Sequence, residues 1–406
     1  MKQGYLSQFF SGVAIKQLRA VEADQTRSHQ HEFNGVAGLK NVFGPEKNTF
    51  EARFVYISDN DDEPVVSDGT LTWYDARAAH TTRTEYRMYF PTTPVSQCAA
   101  EGDILVVGRR PDDSVLVIIA QGGSTIANQV LWLFRISLLG SYAFSVREEL
   151  ETEQDRIEFT SRFILEQIGI PVETTAETYL DAMLEIFGPV FPPTRRFSEY
   201  ARSTVEADPL LAPDAALMAW MDREEILFRT LEKHILADRL AKGFENDVEG
   251  FLEFSKSVQN RRKSRVGFAV ENHVEVILAS SQVQYSRAPV TEGRSRPDFL
   301  FPGAEQYRDQ AFDPGLLSML GVKSTCKDRW RQVLAEAVRV PRKHLLTLET
   351  AISTNQTDEM RSHDLQLVVP RALHGTYNAA QQNWLLDVSS LIAELLDKQR
   401  RMNAQL

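Results

Sequence analysis

The sequence predicts a two-domain α+β protein, with a β-rich N-terminal region followed by an α/β C-terminal region. Three observations carry that prediction. The chain has 406 residues, enough for two domains with separate cores. Short runs of β-forming residues bounded by Gly, Pro and Asp dominate residues 1–145. From residue 214 onward, helical periodicity alternates with short apolar segments. These shifts predict a first domain over 1–175, a linker over 176–213 and a second domain over 214–406.

The first strand candidate, Arg53–Ser58, ends in the turn-forming run Asp59-Asn60-Asp61-Asp62. Leu71–Tyr74, Tyr86–Phe90, Asp103–Val107 and Ser114–Ala120 follow, and such a series suggests a small barrel or sandwich. Residues 126–141 fit either a helix or a buried strand. Residues 146–210 are acidic and punctuated by Pro189, Pro192, Pro193 and Pro209, which reads as a helical extension plus a linker. Apolar residues at 217, 220, 221, 227, 228, 231 and 235 predict a helix from Asp214 to Lys242. Further helices are expected at 247–257 and 264–279, then strands near 297–301 and 318–324 and a helix over 328–338. Strands at 343–348 and 365–369 and a last helix from Trp384 to Met402 complete an α/β sheet flanked by helices.

The composition, 43% hydrophobic and 25% charged, is that of a globular chain and excludes a disordered or fibrous one. Two isolated cysteines, Cys98 and Cys326, exclude a disulfide framework or a zinc cage and point to a reducing cytoplasm. No apolar run reaches membrane-helix length and no signal-peptide pattern opens the chain, so a cytoplasmic protein without membrane contact is expected. The net charge of −11 argues against nucleic acid on average, yet contact is local. Residues 256–265 carry five cations and no acid, and Arg287, Arg294, Arg296, the 323–331 stretch, Arg339, Arg342 and Lys343 extend the pattern. Such a basic stripe fits DNA, with a solvated face as the alternative.

The chemistry-bearing residues lie in the last third. Asp298 opens a short apolar segment, Lys323 closes a second one 25 positions later, and Glu336 follows; Glu271 lies on the preceding helix, with Glu275 one turn on. Acid, lysine, acid is the order a magnesium-dependent nuclease needs. Carboxylates such as Asp298 and Glu336 hold hard cations, and a lysine beside them stabilises phosphate charge or orients water. Many nucleases carry an acid two residues before the lysine. Gly321 stands there instead, so Glu336, expected two turns into the 328–338 helix, is the natural substitute. Gly321-Val322-Lys323-Ser324 lacks the upstream glycine and the Gly-Lys pair of a phosphate-binding loop. His29 and His31 are too few for a metal site, and no zinc-protease or nucleophile-elbow motif occurs.

Three stretches, Asn260-Arg-Arg-Lys-Ser-Arg265, Thr291-Glu-Gly-Arg-Ser-Arg-Pro-Asp-Phe-Leu-Phe-Pro302 and Val322-Lys-Ser-Thr-Cys-Lys-Asp-Arg-Trp-Arg-Gln332, resemble the EcoRII-type restriction endonucleases, a likeness running through roughly 190–400. A weaker one surrounds His29-Gln30 and Arg83–Arg87. The resemblance implies a C-terminal domain of the restriction-endonuclease-like PD-(D/E)xK superfamily and an N-terminal DNA-binding pseudobarrel. It implies type II, Mg²⁺-dependent, site-specific cleavage of double-stranded DNA at a short palindrome of the CCWGG type. Asp298, Lys323, Glu336 and Glu271 fall at the family's active-site positions, and the acid missing at Gly321 becomes a family trait. Lys327, Asp328 and Arg329 fall in register with its base-reading motif, and cations donating to guanine with an acid accepting from cytosine suit C·G pairs. Arg261, Arg262, Lys263, Arg294 and Arg296 are expected as flanking DNA contacts. Arg223 and Phe228 are candidates for the Arg–aromatic pocket into which related enzymes flip central bases. In the N-terminal domain, which binds a second copy of the site and restrains cleavage in the family, Arg83, Glu85 and Arg87 would share one strand face, with His29 on the same surface. A palindromic site implies a homodimer, and self-protection implies a separately encoded methyltransferase. The alternative reading, motivated by Gly321, is a site-specific DNA-binding protein that does not cut.

Overall fold

The computed structural model describes residues 2, 4–23, 32–59, 64–80, 83–138, 142–172, 177–326 and 329–404. His29, Lys327 and Asp328 lie outside the described residues. The chain divides into two compact units, one of Met1–Val172 with Thr350–Asn355, the other of Glu173–Glu349 with Gln356–Leu406.

The first unit is built on eight strands: β1 (Gly12–Gln17), β2 (Glu32–Asn34), β3 (Asn48–Ile57), β4 (Val65–Asp75), β5 (Tyr86–Tyr89), β6 (Ile104–Arg109), β7 (Val115–Ala120) and β8 (Ser145–Arg147). Their order is β2-β5-β4-β3-β7-β6-β1-β8, antiparallel except for the parallel β3–β7 pair. Both faces of this sheet are covered. Leu116, Ile118 and Ala120 point into one core with Val130 and Ile164, while Val115, Val117 and Ile119 point into another with Phe54, Leu71 and Trp73. Burial on both faces is why β7 reads as an unbroken apolar run rather than an alternation. Short helices α1 (Ala20–Ala23), α2 (Leu39–Phe43) and α3 (Pro94–Cys98) fill the connections, and α4 (Thr125–Leu133) and α5 (Phe159–Gln167) lie beyond β7 and β8. The ambiguous stretch 126–141 begins as a helix because Ser124 caps it, accepting from the Ala127 amide at 3.1 Å. The strands β1, β2 and β8 carry no strong sequence signal; β1 holds Lys16, which is buried and paired with Glu22.

The second unit holds five strands, β9 (Ser286–Arg287), β10 (Phe299–Phe301), β11 (Ser318–Lys323), β12 (Lys343–Thr347) and β13 (Leu365–Val368), in the order β13-β12-β11-β10-β9. The pairs β9–β10 and β10–β11 are antiparallel, β11–β12 and β12–β13 parallel. Its helices are α6 (Leu180–Phe187), α7 (Thr194–Ser203), α8 (Pro213–Lys242), α9 (Val248–Ser280), α10 (Ala304–Arg308), α11 (Trp330–Leu334), α12 (Thr354–Ser362, in this unit from Gln356 onward), α13 (Ala379–Gln382) and α14 (Val388–Asn403). Residues 176–213, expected as a linker, bring α6 and α7 into this unit. Met183, Phe197 and Ala201 pack there on Leu227, Phe228 and Leu231 of α8.

Two helices differ from expectation. The segments 247–257 and 264–279 are one 33-residue helix, α9, started by Asp247, whose side chain accepts from the Gly250 amide at 2.8 Å. The polar run between them, Gln259 to Ser264, hides the periodicity but contains no helix breaker. The helix expected over 328–338 stops at Leu334, so Glu336 lies just past its end rather than two turns inside it. Ala337 adopts a left-handed φ of 47°, and Pro341 lies four residues beyond it, so the helix has no continuation. Among the described residues, no helix is long and apolar enough to cross a membrane.

Candidate active site

The register of β10 against β11, with Phe299 opposite Leu320, places Asp298 level with the C-terminal end of β11. The Asp298 Oδ2 atom accepts from the Val322 amide at 2.6 Å and from the Lys323 ammonium at 3.0 Å. Acid and lysine, 25 positions apart in sequence, therefore meet as an ion pair; their side chains are 17% and 22% exposed. The cluster is thus screened from bulk water but open to a ligand.

Gly321 explains itself in packing. A Cβ built there would sit 2.9 Å from Cγ2 and 3.2 Å from Cγ1 of Val333, whose helix α11 lies directly on β11. The position that carries an acid in many nucleases is therefore occupied by apolar side chain. Glu336 lies in the chain just after α11.

Glu336 is held well above the usual carboxylate range, at about 7, first by burial and then by the Asp298 charge, with Lys323 and Lys343 pulling the other way. Its Oε2 atom is buried and has no hydrogen-bond partner among the described residues. Glu271, on α9, is also raised, by burial and then by Asp298, and it accepts from Arg287 at 3.2 Å. The Asp298 charge thus raises both glutamates, and Lys323 opposes it at each. Burial lowers Lys343, whose ammonium donates to the Leu334 carbonyl at 3.0 Å. Among the described residues, no group of three His, Cys, Asp or Glu side chains is close enough to cage a metal ion by itself. The oxygen-only donors Asp298 and Glu336 do fit Mg²⁺, which uses one or two carboxylates and keeps several waters, and the unpartnered Glu336 oxygen is what such an ion would satisfy.

The flanking candidates are distributed unevenly. Lys263, Arg294, Arg296 and Arg329 are exposed, and Arg294 adopts a left-handed φ of 63°. Arg262 is tied to the buried Glu232 at 2.8 Å, and Arg261 lies 4.1 Å over the Phe191 ring. Arg223 lies over Tyr179, whereas Phe228 is 4% exposed and packs with Phe191 and Phe197, so the two side chains do not make one pocket. A cavity of about 150 Å³ beside Phe228 is lined by Phe191, Phe197, Arg261, Arg265 and Phe268. In the first unit, Arg83 is exposed and precedes β5, so it does not share the strand face with Arg87. The guanidinium of Arg87 is engaged by Glu32 at 2.7 Å and Glu85 at 2.6 Å, and Glu85 also pairs with Arg77.

Residues 228–392 match the family described as EcoRII C terminal. The Type II restriction enzyme EcoRII of Escherichia coli is 39% identical over 206 residues, which cover 50% of this chain and 50% of that protein. The chain thus matches about half the length of this relative. Two solved structures show a lower likeness. Metal-depleted Ecl18kI in complex with uncleaved, modified DNA is 16% identical with a TM-score of 0.45, covering 56% of this chain and 84% of that one. The restriction endonuclease PspGI–substrate DNA complex is 16% identical with a TM-score of 0.45, covering 52% and 94%. From residue 228 to residue 392, the chain is similar to the EcoRII C-terminal family.

Proposed function

We propose that this chain is a type II restriction endonuclease that hydrolyses double-stranded DNA at a short C·G-rich palindrome of the CCWGG type. The observation that carries the reading is the Asp298–Lys323 ion pair with Glu336 and Glu271 raised beside it. Asp298 and Glu336 would hold Mg²⁺. When bound, the ion supplies polarisation of the scissile phosphate and a lowered pKa for the attacking water. Lys323, fixed by Asp298, presents a cation where phosphate charge develops. The Val322 amide anchors Asp298 so that it need not reorganise during the reaction. Half-burial of the cluster lowers the local dielectric and strengthens each of these interactions.

Lys327, Asp328 and Arg329 are proposed to read the C·G pairs, Arg261, Lys263, Arg294 and Arg296 to contact the backbone, and Arg262 to join them by exchanging its carboxylate partner for phosphate. On the same reading, the first unit is a DNA-binding pseudobarrel that engages a second site through Arg83, Glu85 and Arg87. Arg87 would have to trade a carboxylate partner for a base. The palindrome is cut by a homodimer, and a separate methyltransferase protects the host.

A second reading, site-specific binding without cleavage, draws on the absence of a ready three-residue metal cage among the described residues. One experiment separates the two. Plasmids carrying zero, one or two CCWGG sites are incubated with Mg²⁺ or EDTA and the ends mapped. Mg²⁺-dependent cutting at the sites supports the endonuclease, and faster cutting of the two-site plasmid supports an effector role for the first unit. A specific gel shift with no cutting supports the second reading.

A further inference from the structure

Glu271 and Asp298 stand on different elements, a helix and a strand end, and something must set their separation. A single guanidinium bridges those elements. Arg287, on the edge strand β9, donates to Glu271 Oε2 at 3.2 Å, to Asn272 Oδ1 at 2.9 Å and to Glu275 Oε2 at 2.6 Å. Its backbone is paired with Phe299, the residue after Asp298, and the next amide, Ala288, donates to the Asp298 carbonyl at 3.0 Å. The main chain at 287–288 is therefore fixed to Asp298 while the side chain is fixed to the helix that carries Glu271. The acceptors are themselves anchored. Asn272 donates to the buried Ser198 of α7 at 3.1 Å, and Glu275 also accepts from Arg195 of α7 at 2.7 Å.

We propose that Arg287 is a positioning residue of this active site, holding the Glu271 carboxylate at a fixed distance from Asp298 so that the cleft accepts a divalent cation. The inference rests on the nuclease reading above. Glu271 and Glu275 are one helical turn apart on one face, so their carboxylates repel unless a cation lies between them. A guanidinium has five donors in a rigid plane and can serve three acceptors at once; the lysine ammonium is a point charge on a flexible stem and cannot hold the same fork. The role is that of an outer-shell partner, which orients a carboxylate without touching the reacting atoms.

The test uses the full chain with Arg287→Lys and Arg287→Met. Binding of Mn²⁺ alone is followed by calorimetry, alongside melting temperature, gel shift of a CCWGG duplex in EDTA, and the Mg²⁺ dependence of cleavage. The expected result is a loss of about tenfold or more in Mn²⁺ affinity for both variants, with a matching rise in the Mg²⁺ needed for cleavage. Duplex binding in EDTA and the melting temperature of Arg287→Lys stay close to wild type. Should Arg287→Met fail to fold, Arg287→Lys and Glu275→Gln decide, the latter keeping the guanidinium but removing one anchor. Wild-type Mn²⁺ affinity in Arg287→Lys overturns the proposal while leaving the nuclease reading intact. A wild-type protein that neither binds Mn²⁺ nor cuts overturns both. Affinity lost only in step with unfolding assigns Arg287 a purely structural role and also overturns it.

Discussion

At the scale of single residues, Asp298 and Lys323 were legible because the acid opens one short apolar segment and the lysine closes the next, and antiparallel pairing brings such ends together. Glu336 was reached by elimination and by resemblance, and its placement inside a helix was wrong because the turn at Ala337 ends α11 first. Arg287 gave no positional signal, since its partners lie 12 to 16 residues earlier on a helix and no local spacing announces the contact. Two predictions belong here. Glu336 has a folded-state pKa of about 7, above the ordinary carboxylate value, so the folded protein binds this proton more tightly than the unfolded chain does. Its ionisation therefore disfavours folding: the stabilising contribution of the proton is intact below the ordinary carboxylate value and is lost as pH rises towards 7 and through it. Without metal, Glu336→Gln should raise the melting temperature at pH 8 by roughly 1–3 °C and leave it unchanged near pH 4, and with Mg²⁺ present it should abolish cleavage. An unchanged melting temperature at pH 8 would remove the electrostatic reading of that side chain. Gly321→Asp should not restore a Glu336→Ala enzyme, because its Cβ meets Val333; a destabilisation of about 1–3 kcal/mol in urea unfolding is expected instead.

At the scale of elements, the helix α8 and most of the second unit's sheet followed from periodicity and apolar runs. The fusion of two segments into α9 did not, because its middle is polar all round and lies against other elements at only a few positions. Part of the reason α8 and α9 hold together is a buried ionic layer that no pattern in either helix revealed. Glu224, fully buried on α8, lies 3.0 Å from His273 and 3.4 Å from Arg265 of α9, and Arg265 also pairs with Glu225. Burial holds His273 below its ordinary value, so the positive charge opposite Glu224 comes from Arg265. Arg265→Met leaves Glu224 without that cation and should cost about 3–5 kcal/mol in urea unfolding of the second unit. Arg331→Ala, which breaks the exposed pair with Glu359, should cost under about 1 kcal/mol in the same assay. Equal costs would mean that the buried layer is no more than a solvated pair.

At the scale of the whole molecule, composition placed the chain among globular proteins and predicted two parts, but could not show that Thr350–Asn355 joins the first unit. That grouping joins residues more than two hundred positions apart, as in the hydrogen bond from Gln129 to the Thr350 carbonyl at 2.9 Å, and sequence patterns are local. On the proposed function, the net charge of −11 leaves DNA contact to the local basic residues. Replacing Arg294 and Arg296 together by Ala should reduce the salt slope of duplex binding by about two and weaken cognate and non-cognate duplexes alike, measured by anisotropy across salt concentrations. A loss confined to the cognate duplex would make these arginines base readers instead.

The assignment of the site stands most directly on Lys323. Wild type and Lys323→Ala are compared for cleavage of a CCWGG duplex in Mg²⁺ and for binding of the same duplex in EDTA. The expected result is a fall in cleavage of at least about 100-fold with binding nearly unchanged. Cutting by Lys323→Ala at a near-normal rate would contradict the assignment of the Asp298–Lys323–Glu336 cluster as the active site.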